Sequence, residues 1–78
     1  MSKDANKPHG DVTYADPGYQ KDGTKRYPID TADHVRAAIS YISQRSNSSR
    51  YDKSQLAAIK ARIRRAATKF GVDVSEDF

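Results

Sequence analysis

The sequence predicts a mainly α domain: a two-helix hairpin packed against an N-terminal tyrosine-rich loop or short β-ribbon. Three observations predict it. Residues 51–72, YDKSQLAAIKARIRRAATKFGV, combine helix start and stop signals with an apolar stripe at helical spacing. A second stripe at the same spacing runs through residues 35–42. Ahead of both, Pro17-Gly18, Asp22-Gly23 and Pro28 punctuate a segment that holds Tyr14, Tyr19 and Tyr27. A chain of 78 residues allows one domain. With 36% hydrophobic residues and a mean hydropathy of -0.91, its core must be small.

Residues 1–11 are polar, broken by Pro8 and Gly10, and are expected to form a disordered arm. The domain proper is expected over 12–74. Pro17-Gly18 suits a type II turn, with proline fixing φ and glycine taking the left-handed position. Asp22-Gly23 suits a tight hairpin turn. Alternation around it is weak, so the segment reads either as a ribbon pairing 18–21 with 24–28 or as an irregular loop held down by its tyrosines. The first long helix is expected to begin just after Asp30 or Thr31, with Asp30 and Asp33 as a capping arrangement that also suits the helix dipole. Val35, Ala38, Ile39 and Ile42 form its core face, and Tyr41 lies at the edge. It should end near Arg45, where Ser46-Asn47-Ser48-Ser49 reads as a polar linker.

The next helix has the stronger local signals. Asp52 is the expected N-cap, Gln55 closes a capping box, and Tyr51 can staple onto Leu56. Leu56, Ile59, Ile63, Ala66, Ala67 and Phe70 make the buried stripe. Gly71 is a natural left-handed terminator, with Val72 placed as in a Schellman motif. Residues 75–78 read as an acidic tail, and Val74 and Phe78 either add contacts or belong to a loose end.

Charge is the main functional signal. The chain has 14 basic and 10 acidic residues, a net charge of +4, and the excess is concentrated. No acid occurs between Lys53 and Val72, so no partner three or four residues away neutralises the helix internally. At 100° per residue the cations fall into two rows flanking the stripe: Lys53, Lys60 and Arg64 on one side, Arg62, Arg65 and Lys69 on the other. With Arg50, these residues form the candidate nucleic-acid surface, suited to phosphates with little sequence preference. An acidic protein surface fits the same charges, and so does a plain solvated helix face. The linker is longer than that of a helix-turn-helix, and the tyrosines are not spaced as a single-strand stacking platform.

Other chemistry is thinly represented. The chain has no cysteine, which excludes a disulfide scaffold or thiolate zinc site and fits a cytoplasmic setting. His9, expected in the arm, and His34 have no third ligand at metal-site spacing. Asp16 and Asp22 sit where turns favour aspartate. No phosphate-binding glycine loop or nucleophile–base pattern occurs, so neither an enzyme nor a cofactor is expected. Nor is a membrane span or a signal peptide, because no apolar run is long enough.

The blocks YADPGYQKDGTKRYPIDTADHVRAAISYI and YDKSQLAAIKARIRRAATKFGVDV resemble DUF6582, a small domain of unknown function common in actinobacteria and their phages. That domain occurs alone or appended to larger proteins, including phage head-maturation proteins. The likeness is most specific at Tyr14–Tyr19, at Lys25–Asp30 with His34-Val35-Arg36, and at Lys69-Phe70-Gly71. The resemblance implies an accessory role in virion assembly or host takeover and brings no established activity. It marks Asp16, Pro17, Gly18, Tyr19, Arg26, Tyr27 and Pro28 either as a turn-and-packing signature or as the frame of a binding site shared with His34 and Arg36. The alternative to nucleic-acid binding is therefore a protein-interaction module, a homodimer included, working through Tyr19, Arg26, Tyr27, His34 and Arg36.

Overall fold

The computed structural model describes residues 9–76 and 78. Five elements follow in order: β1 (Tyr14–Asp16), β2 (Arg26–Pro28), α1 (Ala32–Ser43), α2 (Arg45–Ser48) and α3 (Lys53–Phe70). The architecture is mainly helical. α1 and α3 pack as a pair, β1 lies against α3, and β2 lies against α1. The core is built on Val35, Ile42, Ile59 and Ile63, all fully buried, with Ala15, Ile29, Ala38, Tyr51 and Ala67 around them.

The ribbon is real, but its first strand is not the expected 18–21. β1 and β2 pair antiparallel with Tyr14 opposite Pro28 and Asp16 opposite Arg26, and Ile29 N–H donates to Thr13 O at 2.9 Å. All three residues of β1 are buried, so the strand lacks the alternation that would have marked it. The expected strand 18–21 forms part of the connecting loop, whose turn is centred on Lys21-Asp22, one residue before the expected Asp22-Gly23, and is closed by Gly23 N–H donating to Gln20 O at 2.9 Å. Two backbone positions there are demanding. Gly18 has φ +113, and a Cβ on it would stand 2.8 Å from Gly23 O. Tyr27 has φ 62, a conformation that bulky residues rarely adopt.

Thr31, not Asp30, caps α1: its hydroxyl accepts from His34 N–H at 3.0 Å. Asp30 is drawn instead to the His34 ring, and Asp33 to Arg36. Val35, Ala38 and Ile42 are buried as the stripe predicts, while Ile39 is half-buried. The helix stops at Ser43, two residues short of Arg45, because Gln44 takes an extended conformation. The expected polar linker then contains one helical turn, α2. Asn47 Nδ2 donates at 2.8 Å to Tyr41 O, which also accepts the capping bond from Gln44 N–H at 3.2 Å.

α3 forms as its local signals dictate. Asp52 accepts from Gln55 N–H at 2.8 Å, and Gln55 Oε1 accepts from Asp52 N–H at 3.1 Å. At the other end Gly71 is left-handed, and Val72 N–H reaches Ala67 O at 2.8 Å, the long bond of a Schellman motif. The C-terminal segment is not loose throughout: Phe78 is buried against the core. The expected arm lies largely outside the described residues, but His9 and Gly10 are fixed by Tyr14. Its hydroxyl accepts from His9 N–H at 2.8 Å and donates to Gly10 O at 3.1 Å.

The two glycines make a controlled comparison. Gly18→Ala meets both a positive φ and a backbone clash, and is expected to destabilise by about 2 kcal/mol or more. Gly71→Ala meets open space and only the φ penalty, about 1 kcal/mol. Urea denaturation of the two variants against the parent checks the order.

Candidate functional site

The ribbon positions a hydrogen-bond network that the sequence does not announce. Asp16 is fully buried. Its Oδ1 accepts from the backbone N–H groups of Gly18 and Tyr19, each at 2.8 Å, and its Oδ2 accepts from the Tyr51 hydroxyl at 2.6 Å. Gln20 Nε2 donates to the same hydroxyl at 2.9 Å. Burial and the bond to Asp16 hold the Tyr51 phenol well above its ordinary value of 10.0. The rings of Tyr19 and Tyr27 both stand 6.5 Å from that of Tyr51. Tyr19 and Tyr27, expected on an interaction surface, thus share one cluster around Tyr51.

The other members of that expected surface have local partners. Arg26 forms a two-pronged pair with Asp22, at 2.7 and 3.1 Å. The pair lowers the Asp22 carboxyl from 3.8 to about 2 and raises the Arg26 guanidinium above its ordinary value. Arg36 pairs with Asp33 at 3.0 Å on the exposed first turn of α1. His34 Nδ1 meets Asp30 Oδ1 at 2.5 Å, and that bond lowers the Asp30 carboxyl below its ordinary value. The His9 ring packs edge-on against His34, 5.3 Å between centroids. His9 is therefore part of the structured surface, a contact hidden from the sequence because it depends on the chain folding back over α1. Among the described residues no three histidines, cysteines or acids gather to hold a metal.

The cations of α3 differ in their surroundings. Arg62 is drawn into the fold: its Nη1 donates to Ala15 O and to the Tyr19 hydroxyl, each at 3.0 Å, and the guanidinium lies 5.6 Å from the Tyr19 ring centroid. Lys60 and Arg64 flank the buried Phe78 ring, at 5.3 and 5.7 Å from its centroid. Arg50, Lys53, Arg64, Arg65 and Lys69 are exposed. The side-chain ion pairs described, Asp22–Arg26, Asp30–His34 and Asp33–Arg36, all lie off α3. On the Arg65–Lys69 side the helix borders an open cleft of about 330 Å³, lined also by Thr13, Ile29, Asp30, Arg62, Ala66 and Phe70. Charge, tyrosines and this concavity together equip the surface for binding.

The network makes two predictions. Tyr51→Phe leaves Asp16 Oδ2 buried without its donor and is expected to cost about 1–3 kcal/mol in thermal or urea denaturation. Because the phenol's folded value is raised, its contribution is present below the unfolded value of 10.0 and is lost as pH rises toward the folded one. In an alkaline titration followed by phenolate absorbance, one of the five tyrosines should ionise late, and Tyr51→Phe should remove that step. Asp22 behaves in the opposite sense. Its folded value is depressed, so its contribution is present above 3.8 and is lost as pH falls through about 2. Asp22→Asn should flatten the acid limb of the stability profile in that window.

Comparison with known proteins yields one match. A family model described as a family of unknown function, DUF6582, matches residues 1–77. No curated protein and no solved structure matches the chain. The match runs through the ribbon, the Asp16–Tyr51 network, the cleft and α3 alike, so the chain belongs, over nearly its whole length, to the DUF6582 family.

Proposed function

We propose that the chain is a small, non-enzymatic binding module that lays the cationic face of α3 on the phosphate backbone of nucleic acid. The observation that carries this reading is the segregation of charge. The acids that pair, Asp22, Asp30 and Asp33, are taken by Arg26, His34 and Arg36, while Lys53, Lys60, Arg64, Arg65 and Lys69 have no acidic partner among the described residues. Unneutralised cations on one helix repel each other and cost stability, and an anionic partner reverses that cost. Phosphates suit the arrangement because contacts to them need charge and reach rather than a fixed base register. Arg62 has no part in the contact, since its guanidinium is bonded to Ala15 and Tyr19. The resemblance to actinobacterial and phage sequences supports a cytoplasmic setting, that of the host if the chain is phage-encoded. No helix among the described residues is long and apolar enough to cross a membrane.

Fluorescence anisotropy with mixed-sequence DNA and RNA at several salt concentrations tests the proposal. With all five cations on phosphates, log K is expected to fall with log salt at a slope of about −4.5 on duplex DNA. Joint reversal of Arg64, Arg65 and Lys69 to Glu should weaken binding by at least about tenfold while circular dichroism stays unchanged. Absence of binding to either polymer, with salt-sensitive capture of an acidic protein by the same cations, would transfer the reading to a protein-interaction or virion-assembly module.

A further inference from the structure

Contact with phosphates on a convex helix explains the exposed cations but not the cleft beside them. At about 330 Å³ the cleft lies near the lower end of ligand pockets, about 300–1,000 Å³, so it suits one small group. Its apolar lining is Ile29 and Ala66, both buried, with the half-buried ring of Phe70. Its charged lining has two signs: Arg62, Arg65 and Lys69 from α3, of which Arg62 is already bonded to Ala15 and Tyr19, and Asp30 from the segment between β2 and α1. His34 is bonded to Asp30 Oδ1, so Oδ2 is the oxygen with which Asp30 would meet a ligand in the cleft. The Lys69 ammonium lies 5.4 Å from the Phe70 ring centroid, so cation and aromatic surface are presented together.

A ligand that satisfies this lining needs an anion, a flat apolar body and a hydrogen-bond donor on the edge away from the anion. Inorganic phosphate has only the first. A base inside a duplex has its faces stacked and its amino group paired. An unpaired nucleotide with an amino-bearing base has all three. We propose that the cleft seats one such base of a single strand: its phosphate on Arg65 and Lys69, its ring against Phe70, its exocyclic amine donating to Asp30. The inference rests on the nucleic-acid reading of α3 and narrows it from any backbone to single strands. Asp30, its carboxyl lowered by the His34 bond from an already acidic ordinary value, is an acceptor throughout the neutral range.

The test combines two measurements on the full chain. Amide chemical shifts are followed during titration with dAMP and, separately, with inorganic phosphate. Affinities are measured for short oligo-dA, oligo-dT and a duplex of matched length. The expected result is dAMP-induced shifts at Thr13, Ile29, Asp30, Ala66 and Phe70 that phosphate does not reproduce, with oligo-dA bound more tightly than the duplex. Phe70→Leu keeps apolar volume but removes the ring, and should weaken oligo-dA by roughly five- to tenfold while leaving the duplex unchanged. Asp30→Asn should reduce the preference for oligo-dA over oligo-dT, with circular dichroism confirming that both variants fold. Equal, salt-sensitive binding of single strand and duplex without cleft shifts would overturn the cleft and leave the backbone reading standing. Cleft shifts with dAMP but no polymer binding would support the cleft and overturn the backbone reading. Shifts with phosphate alone would show an adventitious ion only and overturn the base site.

Discussion

The fold depends on an acidic side chain placed where it must be met by hydrogen-bond donors. Asp16 is completely buried, and an isolated charge there would cost several kcal/mol or more. Three donors offset that cost, and their positions tie the molecule together. Two are backbone N–H groups of the turn that follows β1, so the carboxylate shapes its own loop. The third is the hydroxyl of Tyr51, immediately before the Asp52 cap of α3. One side chain thus connects the end of β1 to the beginning of the long helix. Arg62 makes a second tether farther along α3, to Ala15 O and the Tyr19 hydroxyl. Between them, the ribbon is held at two points along the helix rather than resting on it through apolar contact alone.

What could be read from the residues followed the range of the interactions. α3 was legible down to its capping box and terminating glycine, because each of those signals is satisfied within a few residues of itself. The two cationic rows followed from helix geometry in the same way. The ribbon was only half legible: its turn residues were plain, but β1 was not, since a strand buried at all three positions carries no alternating pattern and its partner lies across a loop. Asp16 looked like an ordinary turn aspartate because that describes one of its oxygens, and nothing local reveals the hydroxyl bound to the other. Arg62 read as one more surface cation for the same reason. His9 and Phe78 lie in polar terminal segments, and both are held by contacts with residues distant in sequence.

The division of labour among the cations is the main functional consequence of these tethers. Arg62 stands in the same helical row as Arg65 and Lys69 and lines the same cleft, yet its guanidinium is bonded to Ala15 and Tyr19 while no such bond holds theirs. The bonded arginine holds β1 at the proper distance for Thr13 and the Ile29-Asp30 segment to form the opposite wall. The cleft is therefore a product of the packing between ribbon and helix, and belongs to neither element alone.

Tyr27 shows what that joint construction means for the way the chain folds. Its backbone sits at φ 62, which for a bulky residue costs about 1–3 kcal/mol. Paired strands hold the residues on either side of it, and its ring lies beside that of Tyr51. A two-stranded ribbon is marginal by itself, and one carrying such strain is below that margin. The ribbon is consequently a dependent element: cut away from the helices, residues 12–30 would relax at Tyr27 and lose their pairing. Ribbon and α3 form one cooperative unit, and the cleft between them exists only in molecules that have completed both.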